Sequence, residues 1–416
     1  MNLHEFLETS YTAYQAVKNA ANALKDAGFL ELSERETWKL KEGGKYFVVR
    51  GGSSLVAFRY SKNGAYKIVA SHTDSPCLKL KENPAVSDDN FTRLNTEPYG
   101  GGLWYTFFDR PLKLAGRVVK DADGALVAEN FVSDFQIVLP SLAIHQNREA
   151  NEKFAPNLQT ELPLLSLGKA DFDALLGADT LAYDLFAVPD IEPFESGASN
   201  ELISSPRLDD LAGAYSAVQA IFETPSSSDT VQVCACLEAE EIGSRTYAGA
   251  AADFLRRTLE RIAAAFHAYD GKVYARSILV SLDNAHALHP NHPEKCDPTN
   301  RPVPGKGIVI KAHAGGAYTS DGMTIAIIKT VFDIAEAPCQ TFYNRSDVRS
   351  GSTLGAISLA QVSIPSVDIG LAQLAMHSAV ETMAKSDLDT LKKGLIGFYG
   401  CDVTYQDDTA TVIFDN

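Results

Sequence analysis

The sequence predicts an α/β protein in which a mixed sheet is covered by helices on both faces and interrupted by an inserted β-rich segment. Three observations predict it. Short, almost wholly apolar runs recur, among them VQVCACL (231–237), SILVSL (277–282) and IVI (308–310), and this is how strands covered on both sides read. Between them lie stretches with apolar positions at helical spacing, such as SSPRLDDLAGAYSAVQAIFE, so strand and helix alternate along the chain. From about residue 85 to 197 the texture differs, with strand runs, a hairpin signal and Pro-rich loops.

Taken in order, residues 4–27 carry Phe6, Leu7, Tyr11, Tyr14, Val17, Ala21 and Leu24 at helical spacing and stop at Gly28, which predicts one helix closed by a glycine. The runs YFVVR, SLVAFRY and YKIVASHTD then read as strands. In PLKLAGRVVKDADGALVAENFV two strand patterns flank DADG, a hairpin turn. After residue 198 the alternation returns through VQVCACL, SILVSLDNAHA, IVIKAHA and SVDIG, and a last helix is predicted to open at Ser386 with Asp389 three positions on. The predicted organisation is a discontinuous α/β domain, 1–84 and 198–416, with an inserted β-rich domain, 85–197.

With 416 residues, 45% hydrophobic and 22% charged, the chain can build large buried cores in two or three domains. No run of 18 apolar residues exists and the start, MNLHEFLETSYTAYQ, is acidic and amphipathic, so neither a membrane span nor a secretory signal is expected and a cytoplasmic location is. The cysteines at 77, 234, 236, 296, 339 and 401 form no CxxC pair and read as reduced core residues. A net charge of -16 disfavours nucleic acid and anionic membrane, and neither is expected as a partner. An acidic ligand would need a local cation.

In sheets of this kind ligands sit at the carboxyl ends of strands, and polar residues follow the apolar runs. His72, Thr73 and Asp74 follow YKIVAS; Glu240 and Glu241 follow VQVCACL; Asp283 and His286 follow SILVSL; Lys311 follows IVI; His377 follows SVDIG; and Asp209 stands where a helix begins. Each has an ordinary reading alone: a hydrogen-bonded histidine, a solvated acidic pair, an aspartate at a helix dipole. As a set, two imidazoles and three carboxylates are what a pair of divalent metals such as zinc needs, with one carboxylate able to bridge. The extra carboxylate of the adjacent Glu240–Glu241 pair is then free to take a proton from the attacking water, because successive strand-end residues point different ways. No GxxxxGK[ST] loop and no GxSxG elbow offers another chemistry.

The segments SHTDSPCLKLK, SPRLDDLAGAYSAVQA, EAEEIGS, LDNAHALHPN, NRSDVRSGSTLG and LAQLAMHSAVETM, in this order, closely resemble the signature segments of the aspartyl aminopeptidases. These are cytosolic di-metal exopeptidases that remove acidic N-terminal residues from peptides. The resemblance implies that His72, Asp209 and Asp283 hold one metal, that Asp209 bridges to a second held by Glu241 and His377, and that Glu240 is the base. Asp74 would orient the other nitrogen of His72. Lys311 and Tyr318 would line a pocket for the substrate's side-chain carboxylate, His286 would be a further substrate contact, and His145 would reach a neighbouring subunit's site.

The resemblance further implies two divalent ions per subunit, zinc foremost with manganese or cobalt as substitutes, and a di-zinc aminopeptidase-like fold. The inserted domain would make dimers, and the dimers a twelve-subunit shell that admits peptides with free acidic N-termini. One segment departs from the family pattern, with Gly315, Gly316 and Ala317 where bulkier polar residues are common, and His313 beside them. Two rival readings follow. One is a di-metal aminopeptidase of broad or neutral, Leu-type specificity; the other is a non-catalytic oligomeric scaffold that metals merely stabilise.

Overall fold

The computed structural model describes residues 1–62, 64–167, 172–177, 179–225, 230–265, 272–406 and 408–414. A mixed nine-stranded sheet runs in the order Leu30–Glu31, Lys45–Arg50, Ser54–Arg59, Thr230–Leu237, Ala65–His72, Ile278–Leu282, Ser366–Gly370, Ile308–Lys311, Cys339–Phe342. Its middle four strands, from Thr230–Leu237 to Ser366–Gly370, are mutually parallel. Their carboxyl ends, at Leu237, His72, Leu282 and Gly370, therefore share one edge of the sheet.

The alternation along Thr230–Leu237 explains why both faces are covered. Val231, Val233, Ala235 and Leu237 pack with Phe254, Leu255 and Leu259 of helix Phe254–Ala265 and with Leu354 of helix Leu354–Val362. Cys234 and Cys236 point the other way, among residues of helices Leu208–Glu223, Gly322–Ile334 and Lys385–Gly400. Removing the wholly buried ring of Phe254 or Phe332 by substitution with alanine would cost about 3–5 kcal/mol, through lost transfer energy and the cavity left behind. The sulfurs of Cys234 and Cys236 are 3.9 Å apart and all six cysteines are free thiols.

A second, antiparallel sheet orders Ala125–Val132, Leu112–Ala122, Thr180–Pro189, Cys77–Ser87, Phe91–Tyr99 and Leu164–Leu167 around its own core of Leu78, Leu94, Leu112, Leu114 and Leu185. The DADG segment turns the first two of these strands into a hairpin. Asp123 and Gly124 take positive φ, and Asp121 accepts the Gly124 N–H at 2.7 Å. A smaller five-stranded sheet, containing Leu202–Ser205, Ala372–Leu374, Glu381–Ala384 and Ala285–His286, lies beside the carboxyl edge of the first. Among the described residues no helix is long and apolar enough to cross a membrane.

Two local expectations are corrected. Residues 4–27 form two helices, Leu3–Thr9 and Ala13–Asp26. The Thr12 hydroxyl accepts the Tyr14 N–H and opens the second helix, an instance of hydroxyl side chains competing with the helix for backbone donors. The last helix, Lys385–Gly400, starts from Ala384 rather than from Ser386. Asp387 in its first turn faces inward, accepting the N–H groups of Gly305 and Gly307 at 2.7 and 2.8 Å.

Candidate active site

The carboxyl ends of these strands and the segments that follow them deliver polar groups to the same place. His72 is the last residue of its strand and is 1% exposed. Its Nε2 lies 3.5 Å from Oδ1 of Asp209, while Oδ2 of Asp209 lies 3.4 Å from Nε2 of His377. Oε1 of Glu241 is 3.3 Å from that same His377 nitrogen. Asp209 can sit between the two imidazoles because Asp209 and Asp210 depart from helical angles, and the regular helix runs from Leu211. Asp283, the residue after strand Ile278–Leu282, completes the set.

Ligand atoms of His72, Asp209 and Asp283 converge to within 4.8 Å of one another, as do those of Asp209, Glu241 and His377. Asp209 belongs to both groups. A third convergence, of His72, Glu240 and Glu241, puts the Glu240 side chain beside the cluster.

So many buried acids cannot all be ionised side by side. Two like charges about 4 Å apart repel by about 4 kcal/mol at an effective dielectric near 20. Burial, then the charges of Asp283, Glu241 and Asp74, pushes Glu240 up to about 9. Burial likewise lifts Glu241 to about 7, although His377 counteracts it. For His377 burial opposes the charge, but Asp209 and Glu241 outweigh it and push the imidazole up to about 12. Asp209, desolvated yet flanked by two imidazoles, is held below the usual carboxylate range.

Crowded, buried carboxylates of this kind are relieved by a cation set among them. Oδ1 of Asp209 and Oε1 of Glu241 are buried and accept no hydrogen bond. Buried carboxylate oxygens without a donor are costly unless a cation meets them. A donor set of imidazole nitrogen and carboxylate oxygen suits zinc, manganese or cobalt, so these residues fit metal ions.

Around this cluster lie groups that orient it. Nδ1 of His72 is 3.0 Å from the backbone oxygen of Asp74 and 3.6 Å from its carboxylate. That carboxylate accepts the backbone N–H groups of Glu240 and Glu241, at 3.0 and 3.2 Å. Sequence reasoning missed Glu381, which is buried and accepts the N–H groups of His377 at 2.5 Å and Asp209 at 2.9 Å. Burial and the neighbouring Asp209 push Glu381 up to about 8. Its place four residues after His377, in HSAVE, was the available signal. Asp210, which accepts the Ser71 hydroxyl at 2.6 Å, was also missed.

The predicted substrate contacts are distributed unevenly. Lys311 is 2% exposed and donates to the backbone oxygens of Asp283 at 2.6 Å and Asn284 at 3.1 Å, with Oδ1 of Asp283 at 3.6 Å. Its ammonium stands 5.2 Å from the ring centroid of Tyr318. Two of its three N–H groups are thus engaged. His286 is exposed and meets Phe342 edge-on at 6.2 Å. His145 lies on an exposed turn, and among the described residues it takes no part in the hydrogen bonds or ion pairs of the cluster.

An α/β sheet whose carboxyl edge gathers imidazoles and carboxylates in this way defines a metallohydrolase. The comparisons give the family. The chain matches the family described as Aminopeptidase I zinc metalloprotease (M18) over residues 6–175 and 173–399. It is 39% identical to a probable M18 family aminopeptidase 2 of Clostridium acetobutylicum, over 95% of this chain and 97% of that one. Its fold superimposes on that of Ape4 in a complex with Nbr1 with a TM-score of 0.92, at 32% identity, covering 95% of this chain and 84% of that one. A second solved relative, the dodecamer of S. cerevisiae mApe1, gives a TM-score of 0.82 at 25% identity, covering 95% of each chain. The chain belongs to the M18 family of zinc metallo-aminopeptidases, and the reading as a non-catalytic scaffold falls away.

Proposed function

We propose that this aminopeptidase uses a dinuclear metal site and removes N-terminal Asp or Glu from unblocked peptides. The observation that carries the dinuclear reading is Asp209, whose two carboxylate oxygens face the imidazoles of His72 and His377. One cation would be held by His72, Asp209 and Asp283, and the other by Asp209, Glu241 and His377. Bound there, the ions would supply Lewis acidity, which makes a water easier to deprotonate and a scissile carbonyl more electrophilic.

The chain's own groups do the rest. The Glu240 carboxylate takes the proton of the attacking water and delivers it to the nitrogen of the leaving amine. Asp74 holds the backbone of Glu240 and Glu241 in place, its main-chain oxygen meets Nδ1 of His72, and Glu381 holds the main chain of His377. The remaining N–H of Lys311 donates to the side-chain carboxylate of the substrate's first residue, with Tyr318 walling the pocket and His286 on its rim. His145 serves a neighbouring subunit: residues 85–197 form a dimerisation domain, the dimers assemble into a dodecamer as the yeast relative does, and the protein works in the cytoplasm.

Broad or neutral specificity is the second reading. It is favoured by the two carbonyl contacts that already hold Lys311 and by the small residues Gly315, Gly316 and Ala317. Comparing kcat/KM on matched peptides that begin with Asp, Glu, Leu or N-acetyl-Asp decides between them. Cleavage of the Asp and Glu peptides alone supports the acidic pocket, and a preference for Leu refutes it while leaving the metals and the base in place.

A further inference from the structure

The strand Phe91–Tyr99 of the second sheet ends against the catalytic cluster, in the run Tyr99-Gly100-Gly101-Gly102. The Tyr99 hydroxyl donates to Oδ2 of Asp74 at 2.9 Å, and this carboxylate holds the backbone N–H groups of Glu240 and Glu241. Two residues on, the Gly101 backbone oxygen lies 3.0 Å from Nδ1 of His377, and Leu103 donates its N–H to the His377 oxygen at 2.9 Å. Gly100, between them, has a φ of +75°, and a Cβ there would stand 3.0 Å from Cβ of Glu241. Only glycine takes that φ without strain and lets the backbone pass so close.

We propose that Tyr99–Gly101 is a positioning arm through which the second sheet holds the catalytic centre, with the Tyr99 hydroxyl acting on Glu240 and Glu241 through Asp74. The inference rests on the reading of the site given above. Tyr99 is a positioning residue and touches no reacting atom. Its ring is fixed independently, by strand pairing of Tyr99 with Cys77 and by an edge-on contact with Phe186 at 5.4 Å. Tyr99→Phe therefore keeps the packing and removes the hydroxyl alone.

The test uses the assembled, zinc-loaded protein and its metal-stripped form. Tyr99→Phe is expected to lower kcat about tenfold, in the range seen when outer-shell partners of a metal site are removed, with KM within about twofold of wild type. Zinc affinity of the stripped protein should fall in parallel. Combined with Asp74→Asn, it should lose no more than Asp74→Asn alone, because the hydroxyl acts through that carboxylate. A Tyr99→Phe protein with wild-type kcat beside an impaired Asp74→Asn overturns the arm alone, and so do losses that multiply in the double variant. If Asp74→Asn and Glu240→Gln both turn over normally, the reading of the site itself fails and the arm with it.

Discussion

Asp74 accepts the backbone N–H of Glu240 at 3.0 Å, through a side chain that is 5% exposed. The general base of the proposed reaction is thus held by its main chain while its carboxylate stays free to move a proton. A buried carboxylate with this duty does not tolerate conversion to an amide, which presents N–H to N–H on one side. Asp74→Asn is expected to lower kcat/KM by about 10–100-fold. A variant within about twofold of wild type would remove Asp74 from the account.

Glu240→Gln tests the base itself. The substitution keeps size and hydrogen-bonding reach but cannot take a proton, so turnover should fall by about 100-fold or more. Zinc content should stay that of the wild type, since Glu240 belongs to neither metal group that shares Asp209. Loss of zinc together with activity would instead make Glu240 a ligand.

Lys311→Met separates specificity from stability. The thioether replaces the stem of a buried lysine, but Asp283 loses the cation 3.6 Å from its carboxylate, and breaking a buried pair costs about 3–5 kcal/mol. The melting temperature should drop. With protein that remains folded and carries the wild-type zinc content, kcat/KM should fall further for Asp and Glu peptides than for Leu peptides. Equal losses on all three would sink the acidic pocket.

The ion-pair group around Asp184, in strand Thr180–Pro189 of the second sheet, predicts a pH dependence of stability. Asp184 meets Lys79 at 3.1 Å and Arg117 at 3.0 Å. Burial opposes its charge, but the two cations outweigh burial and depress its pKa below the usual 3.8. The folded value lies below the unfolded one, so the contribution is complete above about pH 4 and is lost as pH falls through the folded value. Urea unfolding of Asp184→Asn should show a deficit against wild type at pH 7 that shrinks towards pH 3. A deficit constant across that range would show that the charge of Asp184 does not matter.

Much of this was legible in the sequence, for reasons that particular residues make plain. His72, Asp283 and Glu241 follow apolar runs, and parallel pairing of those runs brings their ends to one edge. Local periodicity is thus enough to nominate them. Glu381 escaped because a carboxylate four residues past His377 reads on its own as one more solvated acid, and Tyr99 and Gly101 escaped because their roles are set by contacts distant in sequence. Gly101 and His377, for example, lie 276 positions apart, and a backbone carbonyl carries no side-chain signature. The break at Ser10–Thr12 escaped because apolar spacing continued across it while Thr12 capped a new helix. The buried tie of Lys311 to Asp283 was likewise invisible, since a lysine after an apolar run reads equally as solvent-facing.

The central claim, that Asp209 joins two metal sites in one chain, is tested most directly by counting zinc bound to the stripped protein at equilibrium, in wild type and in Asp209→Ala. The account predicts two equivalents per chain for wild type and loss of both tight sites in the variant. A single equivalent in wild type, or two tight equivalents without the Asp209 carboxylate, would contradict it.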